Sequence, residues 1–192
     1  MPLPRVLLIG DSIRMGYLPF VKAALEDKAE VRGPVENCGD TRRHVQKLEA
    51  WLEQPADAIH FNAGLHDLKL PRGADPSDFG TRQVPLAEYA ANLEQVAARL
   101  KRTGAKVVWA SITPVLFERH RTVKDFDRRP EDVAAYNAEA AKVMARHGIP
   151  VNDLHAVLAA DDLEACLVGD GVHMTERGNK LLCAAVCKAV LG

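Results

Sequence analysis

Short apolar runs alternate along this chain with longer segments of helical periodicity, and this alternation constrains the fold more than any other feature. Five runs have the length and β-branched content of strands, and the helical stretches have apolar residues spaced three and four apart. This order is typical of a parallel sheet covered by helices on both faces. The predicted strands are Val6–Ile9, Glu30–Val35, Ala58–Asn62, Lys106–Ile112 and Ile149–Val151, and the predicted helices are Leu18–Leu25, Arg42–Leu52, Leu86–Arg102, Glu131–Arg146 and Glu176–Val190.

The size and charge of the chain limit its domain organisation and its binding partners. Its 192 residues contain no internal repeat and no low-complexity linker, which predicts a single domain over residues 1–192. The 25 basic and 26 acidic residues give a net charge of −1, so no overall field favours nucleic acid or an anionic membrane. We therefore expect neither nucleic acid nor a membrane as a partner, and a monomer or a homodimer in solution.

The N-terminal residues and the cysteines both favour a cytoplasmic location. The residues before the first predicted strand lack the basic segment and apolar stretch of a secretory signal. The four cysteines form no Cys-x-x-Cys pair and no zinc-like cluster with histidines. We expect Cys38, Cys166, Cys183 and Cys187 to be small apolar core residues in a reducing compartment, with no metal site.

Ser12 follows the first predicted strand, in the sequence Gly-Asp-Ser that comes directly after the apolar run Val6–Ile9. Right-handed crossovers place the carboxyl ends of all parallel strands at one edge of the sheet, where open α/β sheets bind their ligands. A helix-like stretch follows the serine, so its backbone N–H lies near a helix N-terminus that favours an incoming anion. The serine hydroxyl is thus a candidate nucleophile, provided that a base lies near it.

Asp170 and His173 provide a candidate base for that serine. They are three residues apart, just before the last predicted helix, and Gly171 lies between them. In one irregular turn the carboxylate can reach one imidazole nitrogen and leave the other for a serine hydroxyl. Alternatively, Asp170 caps a turn and His173 caps the last helix.

Two further segments follow predicted strands and supply candidate oxyanion donors. Gly39 follows the second strand, and without a side chain its N–H can face a substrate oxygen. The alternative is a turn glycine before the next helix. His66 follows the third strand, after Gly64, and an imidazole can donate a hydrogen bond to an oxyanion. The alternatives for His66 are a surface loop residue or a metal ligand, although no ligand set at metal spacing accompanies it.

Four short blocks, in order, resemble those of the SGNH (GDSL-type) hydrolases over residues 5 to about 180. These blocks are Gly10-Asp-Ser-Ile, Gly39, Gly64-Leu-His-Asp67 and Asp170-Gly-Val-His173. The resemblance implies a flavodoxin-like three-layer α/β/α fold with a five-stranded parallel sheet, and serine esterase chemistry without a metal or organic cofactor. It also implies Ser12 as nucleophile, His173 as general base and Asp170 as the residue that orients it. The Ser12 and Gly39 N–H groups match two of the three oxyanion donors.

His66 stands where the family pattern, Gly-x-Asn-Asp, has asparagine as the third donor. One interpretation is that His66 substitutes for that asparagine, and the retained Gly64 and Asp67 around it favour this. The other is that the larger ring is displaced and contacts substrate instead. Loss of one oxyanion donor costs about 2.7–4 kcal/mol of transition-state stabilisation, which slows such an enzyme without abolishing catalysis.

Two irregular segments, Lys69–Pro85 and Thr113–Pro130, follow the third and fourth strands and are expected at the same edge as Ser12. The second is basic and mixed rather than apolar, which favours a small acyl group on a polar or anionic alcohol, such as an acetylated sugar. The alternative is a solvated basic loop. The candidate substrate contacts are Arg119, Phe126 and Arg129 in this segment, together with Arg14, which either contacts substrate or covers the first helix.

These features predict a serine esterase that hydrolyses short acyl esters, acetyl esters above all, of a small-molecule substrate such as a carbohydrate. Two alternatives remain at this stage. One is a thioesterase or lysophospholipase with the same fold. The other is a catalytically weak binding module in which His66 has impaired the oxyanion site.

Overall fold

A computed structural model describes residues 2–192 and contains a five-stranded parallel sheet with the strand order β2-β1-β3-β5-β7. A separate antiparallel pair, β4 with β6, lies outside this sheet. The strands are β1 (Arg5–Ile9), β2 (Glu30–Arg32), β3 (Ala58–Phe61), β4 (Leu70–Pro71), β5 (Lys106–Ala110), β6 (Phe126–Asp127) and β7 (Val151–Asn152).

Helices cover both faces of the sheet. They are α1 (Ser12–Ala24), α2 (Thr41–Trp51), α3 (Leu86–Lys101), α4 (Phe117–Val123), α5 (Pro130–Arg146), α6 (Leu154–Ala159), α7 (Leu163–Cys166) and α8 (Glu176–Leu191). Helix α1 packs against α8 in one layer, whereas α3 packs against both α2 and α5 in the other. Among residues 2–192, no helix has both the length and the apolar composition to cross a membrane.

The strands β1 and β3 form the centre of the hydrophobic core. All side chains from Val6 to Ile9 are at most 1% exposed, and every residue of β3 is buried. A strand that is covered on both faces needs apolar residues at every position, which explains why β1 reads as a continuous apolar run. The register pairs Leu7 with Ile59 and Ile9 with Phe61, so the carboxyl ends of these two strands coincide.

The predicted α/β sandwich with five parallel strands is confirmed, while several boundaries differ. Helix α1 begins at Ser12, six residues before the predicted start, because the Asp11 carboxylate caps it by accepting a hydrogen bond from the Ile13 N–H at 2.9 Å. Gly16 and Pro19 are poor helix formers and obscure this helix in the sequence. The segment 113–130, predicted to be irregular, contains α4 and β6.

Candidate active site

Side chains from opposite ends of the chain meet at the carboxyl edge of the sheet. The Ser12 Oγ lies 2.8 Å from the Nε2 of His173, and the Nδ1 of His173 lies 2.5 Å from the Oδ2 of Asp170. Ser12 begins α1, whereas the other two residues precede α8, and these two helices pack against each other. This arrangement has the connectivity of a nucleophile, a base and an orienting carboxylate.

The Asp170 carboxylate is held by hydrogen bonds within its own turn. Its Oδ1 accepts hydrogen bonds from the backbone N–H groups of Val172 at 3.0 Å and of His173 at 2.9 Å, while its Oδ2 faces the imidazole. Burial alone would raise the pKa of Asp170, but the hydrogen bonds from His173 and Val172 outweigh it and lower that pKa to about 2. The carboxylate is therefore ionised across the neutral range, as an orienting group requires.

Gly171 allows this turn to pack closely against α4. Its φ of +68° lies in the left-handed region, and a Cβ there would lie 2.5 Å from the Leu116 carbonyl oxygen. The Leu116 N–H in turn donates to the Gly171 carbonyl at 2.8 Å. Behind the turn, the Val168 N–H donates to the His173 carbonyl at 2.9 Å. The base and its carboxylate are thus fixed from two sides by backbone contacts.

The backbone N–H of Ser12 is open to a ligand. It is the first residue of α1, and within residues 2–192 its N–H has no protein acceptor. The preceding Asp11 is fully buried, and its second carboxylate oxygen has no partner among the same residues. Burial raises the pKa of Asp11. The Ser12 N–H therefore points out of a helix N-terminus whose capping side chain is already in place.

Gly39 lies where the sequence predicts it, but its N–H has a partner. The residue has a φ of +67°, and its N–H donates to the Asn37 Oδ1 at 2.9 Å. The neighbouring Cys38 N–H donates to the Gly10 carbonyl at 3.2 Å, which ties this loop to the turn that carries Ser12. A substrate oxygen must share the Gly39 N–H with the Asn37 side chain or displace it. This bond within the loop is not readable from the sequence.

His66 follows β3 on a loop that a buried carboxylate anchors. The Oδ1 of Asp67 accepts hydrogen bonds from the Thr41 N–H at 2.9 Å and from the Thr41 hydroxyl at 2.5 Å. The half-buried His66 ring makes no hydrogen bond within residues 2–192. Burial, with the positive charges of Lys69 and Arg128, lowers the pKa of His66 to about 4. At neutral pH its imidazole is therefore neutral and carries one N–H donor.

The sequence presents Arg14 either as a substrate contact or as a cover for the first helix, and the structure buries its side chain beneath the site. Its side chain is 2% exposed, and its guanidinium donates to the carbonyls of Gly10 at 3.1 Å, Pro34 at 2.8 Å and Glu36 at 2.8 Å. These bonds span from the nucleophile turn to the loop that leads to Gly39. The arginine supports the site from inside the protein.

The structure places Arg119 and Arg129 in ion pairs on the protein surface. The guanidinium of Arg119 pairs with the Glu164 carboxylate, and that of Arg129 lies 3.7 Å from the Glu131 carboxylate. Arg129 also stacks over the Phe117 ring at 5.3 Å from its centroid. Substrate contact by either arginine requires it to leave its carboxylate partner, so their predicted roles stay predictions.

Phe126 lies beside two cationic side chains, Lys69 and Arg128. The Lys69 ammonium is 5.2 Å from the centroid of the Phe126 ring, and the Arg128 guanidinium is 5.0 Å from the same centroid. Arg128 is only 6% exposed, and its Nε donates to the Leu65 carbonyl at 2.6 Å, next to His66. The sequence shows Arg128 only as one of several basic residues in segment 113–130, because nothing there marks it as buried.

The cysteines are free, and three of the four are buried, as expected for small core residues. The fourth, Cys187, is partly exposed, and its sulfur lies 3.8 Å from that of Cys183 on the same face of α8. Within residues 2–192, no three His, Cys, Asp or Glu side chains are grouped in a way that suits a metal ion.

Comparisons with known proteins place this chain in one family. The model of the GDSL-like lipase/acylhydrolase family matches residues 8–181. The fold is similar to that of the acetyl xylan esterase AlAXEase, with a TM-score of 0.77 and 18% identity over 97% of this chain and all of that one. It is also similar to the lipase/acylhydrolase from Enterococcus faecalis, with a TM-score of 0.79 and 22% identity over 97% of this chain and 94% of that one.

A third similar structure is Axe2, an acetylxylan esterase from Geobacillus stearothermophilus. It has a TM-score of 0.77 and 18% identity, over 98% of this chain and 94% of that one. No curated protein sequence matches this chain significantly. The structural similarities agree in fold with the sheet described above, and the family match spans all four sequence blocks. The chain therefore belongs to the GDSL-like lipase/acylhydrolase family of carboxylic ester hydrolases.

Proposed function

We propose that Ser12, His173 and Asp170 hydrolyse an ester through an acyl-enzyme. The observation that carries this proposal is the chain of contacts from the Ser12 Oγ to the His173 Nε2 at 2.8 Å and from the His173 Nδ1 to Asp170 at 2.5 Å. The ionised carboxylate keeps the proton on Nδ1, so Nε2 is free to accept the hydroxyl proton as Ser12 attacks the ester carbonyl. The resulting imidazolium then protonates the leaving alcohol. Water enters and the same proton transfers release the acid.

The proposed oxyanion site consists of the N–H groups of Ser12 and Gly39 and the ring N–H of His66. The Ser12 N–H is open at a helix N-terminus, and the neutral His66 ring has a free donor because the ring makes no hydrogen bond within the described residues 2–192. The Gly39 N–H becomes available when the Asn37 carboxamide turns away or when the oxyanion shares the bond. Three donors at one oxygen would stabilise the charge that develops in the transition state.

We propose a short acyl group, acetyl above all, and a polar alcohol such as a carbohydrate. Segment 113–130 supports this because it is rich in arginine and forms α4 and β6, rather than an apolar cover of the kind that suits a long acyl chain. Two proteins of similar fold are described as acetyl xylan esterases, which is compatible with the same substrate class here.

The activity test is a series of p-nitrophenyl esters of increasing acyl length, with acetylated xylo-oligosaccharide as the carbohydrate substrate. We expect the largest kcat/KM for acetate and a steep fall beyond four carbons, since segment 113–130 is rich in arginine and offers little apolar surface to a longer chain. Activity that rises beyond eight carbons would contradict the acetyl proposal and favour a lysophospholipase or thioesterase. A fluorophosphonate probe tests the nucleophile separately, and failure to label Ser12 would favour a binding module.

The His66→Asn variant tests the third oxyanion donor. An asparagine amide provides an N–H donor at this position, so we expect kcat to be retained within about threefold or to rise. Since the pKa of His66 is about 4, the ring is already neutral above pH 5, and the acid limb of the pH–rate profile should keep its midpoint in the variant. The measurement is kcat and kcat/KM for p-nitrophenyl acetate between pH 5 and 9.

The matched change is His66→Ala, which removes the donor and should lower kcat by about 10²–10³. Circular dichroism should show both variants folded. A collapse of activity in a folded His66→Asn variant would assign histidine a role that asparagine cannot fill. A shift of the acid limb in that variant would show that His66 titrates in the assay range.

A further inference from the structure

Three arginines are buried within residues 2–192, and in two of them both terminal nitrogens donate to protein acceptors. Arg14 donates to three backbone carbonyls, as described above. The terminal nitrogens of Arg82 donate to the carbonyls of Asp78 and Pro76 and pair with the Asp132 carboxylate at 2.5 Å. A buried guanidinium is expected to have such partners, because an unpaired buried charge is costly.

Arg128 departs from this pattern. Within residues 2–192 its only hydrogen bond runs from Nε to the Leu65 carbonyl, and it forms no ion pair. Its two terminal nitrogens have no hydrogen-bond partner there and retain contact with solvent, although the residue is only 6% exposed. The side chain is thus buried along its length and open at the face of the guanidinium that binds carboxylates and phosphates.

The surroundings of Arg128 place it beside the proposed catalytic groups. Burial lowers the pKa of Arg128, while the negative charges of Asp11 and Asp170 oppose that shift, and the charge of Arg128 helps to lower the pKa of His66. Its Nε bond fixes it to the loop that carries His66. A group bound at the terminal nitrogens of Arg128 would therefore lie close to the ester bond that Ser12 attacks.

A second cation lies next to Arg128. Lys69 contacts the same Phe126 ring and is half-buried, and its ammonium makes no hydrogen bond within residues 2–192. Burial, followed by the charge of Arg128, lowers the pKa of Lys69, so the two cations repel each other in the free protein. Lys69 and Phe126 line an open cavity of about 520 Å³, with Pro71, Arg72, Gln83 and the exposed Asp125 as its other lining residues.

We propose that Arg128, assisted by Lys69, binds an anionic group on the alcohol portion of the ester substrate. The anion is a carboxylate or a phosphate, both of which a guanidinium can bind through two parallel N–H donors. A bound anion would pair the open guanidinium and relieve its repulsion with Lys69. This proposal rests on the proposed function, because an acetyl group has no charge of its own and the anion must belong to the alcohol.

The test compares two acetate esters that differ by one charge, 4-nitrophenyl acetate and 3-carboxy-4-nitrophenyl acetate. The protein is assayed unmodified and as the Arg128→Gln and Lys69→Gln variants. We expect Arg128→Gln to lower kcat/KM for the carboxylated ester by about tenfold or more, with a change below about threefold for the neutral ester. Lys69→Gln should lower the ratio of kcat/KM for the carboxylated ester to kcat/KM for the neutral ester by a smaller factor. The lysine ammonium cannot donate two parallel hydrogen bonds to one anion as a guanidinium can. The preference of the unmodified protein for the carboxylated ester should also weaken as the salt concentration rises.

The control is Arg99→Gln, which removes one positive charge at the C-terminal end of α3, paired with Glu49 and at the opposite edge of the sheet. It should leave the ratio unchanged. Competitive inhibition of neutral-ester hydrolysis by benzoate and by phenyl phosphate then distinguishes a carboxylate from a phosphate ligand, since the preferred anion inhibits at the lower concentration and loses this advantage in Arg128→Gln.

An equal loss on both esters in Arg128→Gln would overturn the proposal, because it would show that the arginine only supports the site. An unmodified protein that hydrolyses the neutral ester and has no preference for the carboxylated one would also overturn it, while leaving the esterase function intact. Absence of hydrolysis of both esters would instead contradict the proposed function. If Arg128→Gln fails to fold, the half-buried Lys69→Gln variant decides the question through the same ratio.

Discussion

The Ser12→Ala variant should lose esterase activity by a factor of about 10⁴–10⁶, since no other group takes over from a missing nucleophile in sites of this kind. The Ser12 backbone N–H and the rest of the pocket remain, so substrate binding should change little. The measurement is kcat for p-nitrophenyl acetate, together with loss of labelling by a fluorophosphonate probe.

The matched control for Ser12 is Ser77→Ala, which removes the hydroxyl of an exposed serine in segment 69–85. That variant should retain full activity and labelling. A Ser12→Ala protein that folds and keeps more than about 1% of the activity would refute the acyl-enzyme mechanism. The residual reaction would then require a water attack that the oxyanion site supports alone.

The second large effect is expected for Asp170→Asn, with a fall in kcat of about 10⁴. The asparagine oxygen can still accept hydrogen bonds from the N–H groups of Val172 and His173, so the turn should persist. Its amide, however, donates to the His173 Nδ1 and moves the ring proton to Nε2. The imidazole then presents a donor to the Ser12 hydroxyl and cannot accept its proton.

The pKa of Asp170 gives this prediction a pH signature. Because that pKa is about 2, the carboxyl is ionised above pH 4, and loss of activity between pH 7 and pH 4 cannot come from its protonation. The assay is kcat between pH 4 and 9, with Asp57→Asn as the control because that exposed aspartate pairs with Arg5 away from the site. A loss below about tenfold in Asp170→Asn would show that this carboxylate does not set the tautomer.

The amino-acid sequence predicts those features of the fold and the site that depend on local residue patterns. The run from Val6 to Ile9 is apolar throughout because both faces of β1 are covered, and this marks it as a central strand. The spacing of Asp170 and His173 predicts their contact because a single turn brings them together. The meeting with Ser12 follows from topology, since parallel strands end at one edge and α1 packs against α8.

Burial of charged residues could not be predicted in the same way. In the sequence, Arg14 and Arg128 cannot be distinguished from exposed arginines. In the structure, backbone carbonyls surround the guanidinium of Arg14, whereas Arg128 is open to solvent only at its terminal nitrogens. The sequence does not predict α4, because five of its seven residues are polar and form no apolar stripe; the start of the helix packs instead against Gly171. The bond from the Gly39 N–H to Asn37 depends on loop dihedral angles that no residue pattern specifies.

The packing of Gly171 against the start of α4 links substrate selectivity to catalytic turnover, two properties that could otherwise vary independently. Segment 113–130, which we propose faces the alcohol of the substrate, also contacts the turn that carries Asp170 and His173, through the Leu116 backbone and the Arg119 side chain. Diversification of this segment for new substrates is therefore restricted at Arg119, whose side chain contacts Gly171, and at Leu116, whose side chain packs against the core and so positions that backbone. It is permitted at the exposed Arg121 and Val123. Libraries that redesign substrate preference should hold residues 116 and 119 fixed, because changes there would trade turnover for selectivity.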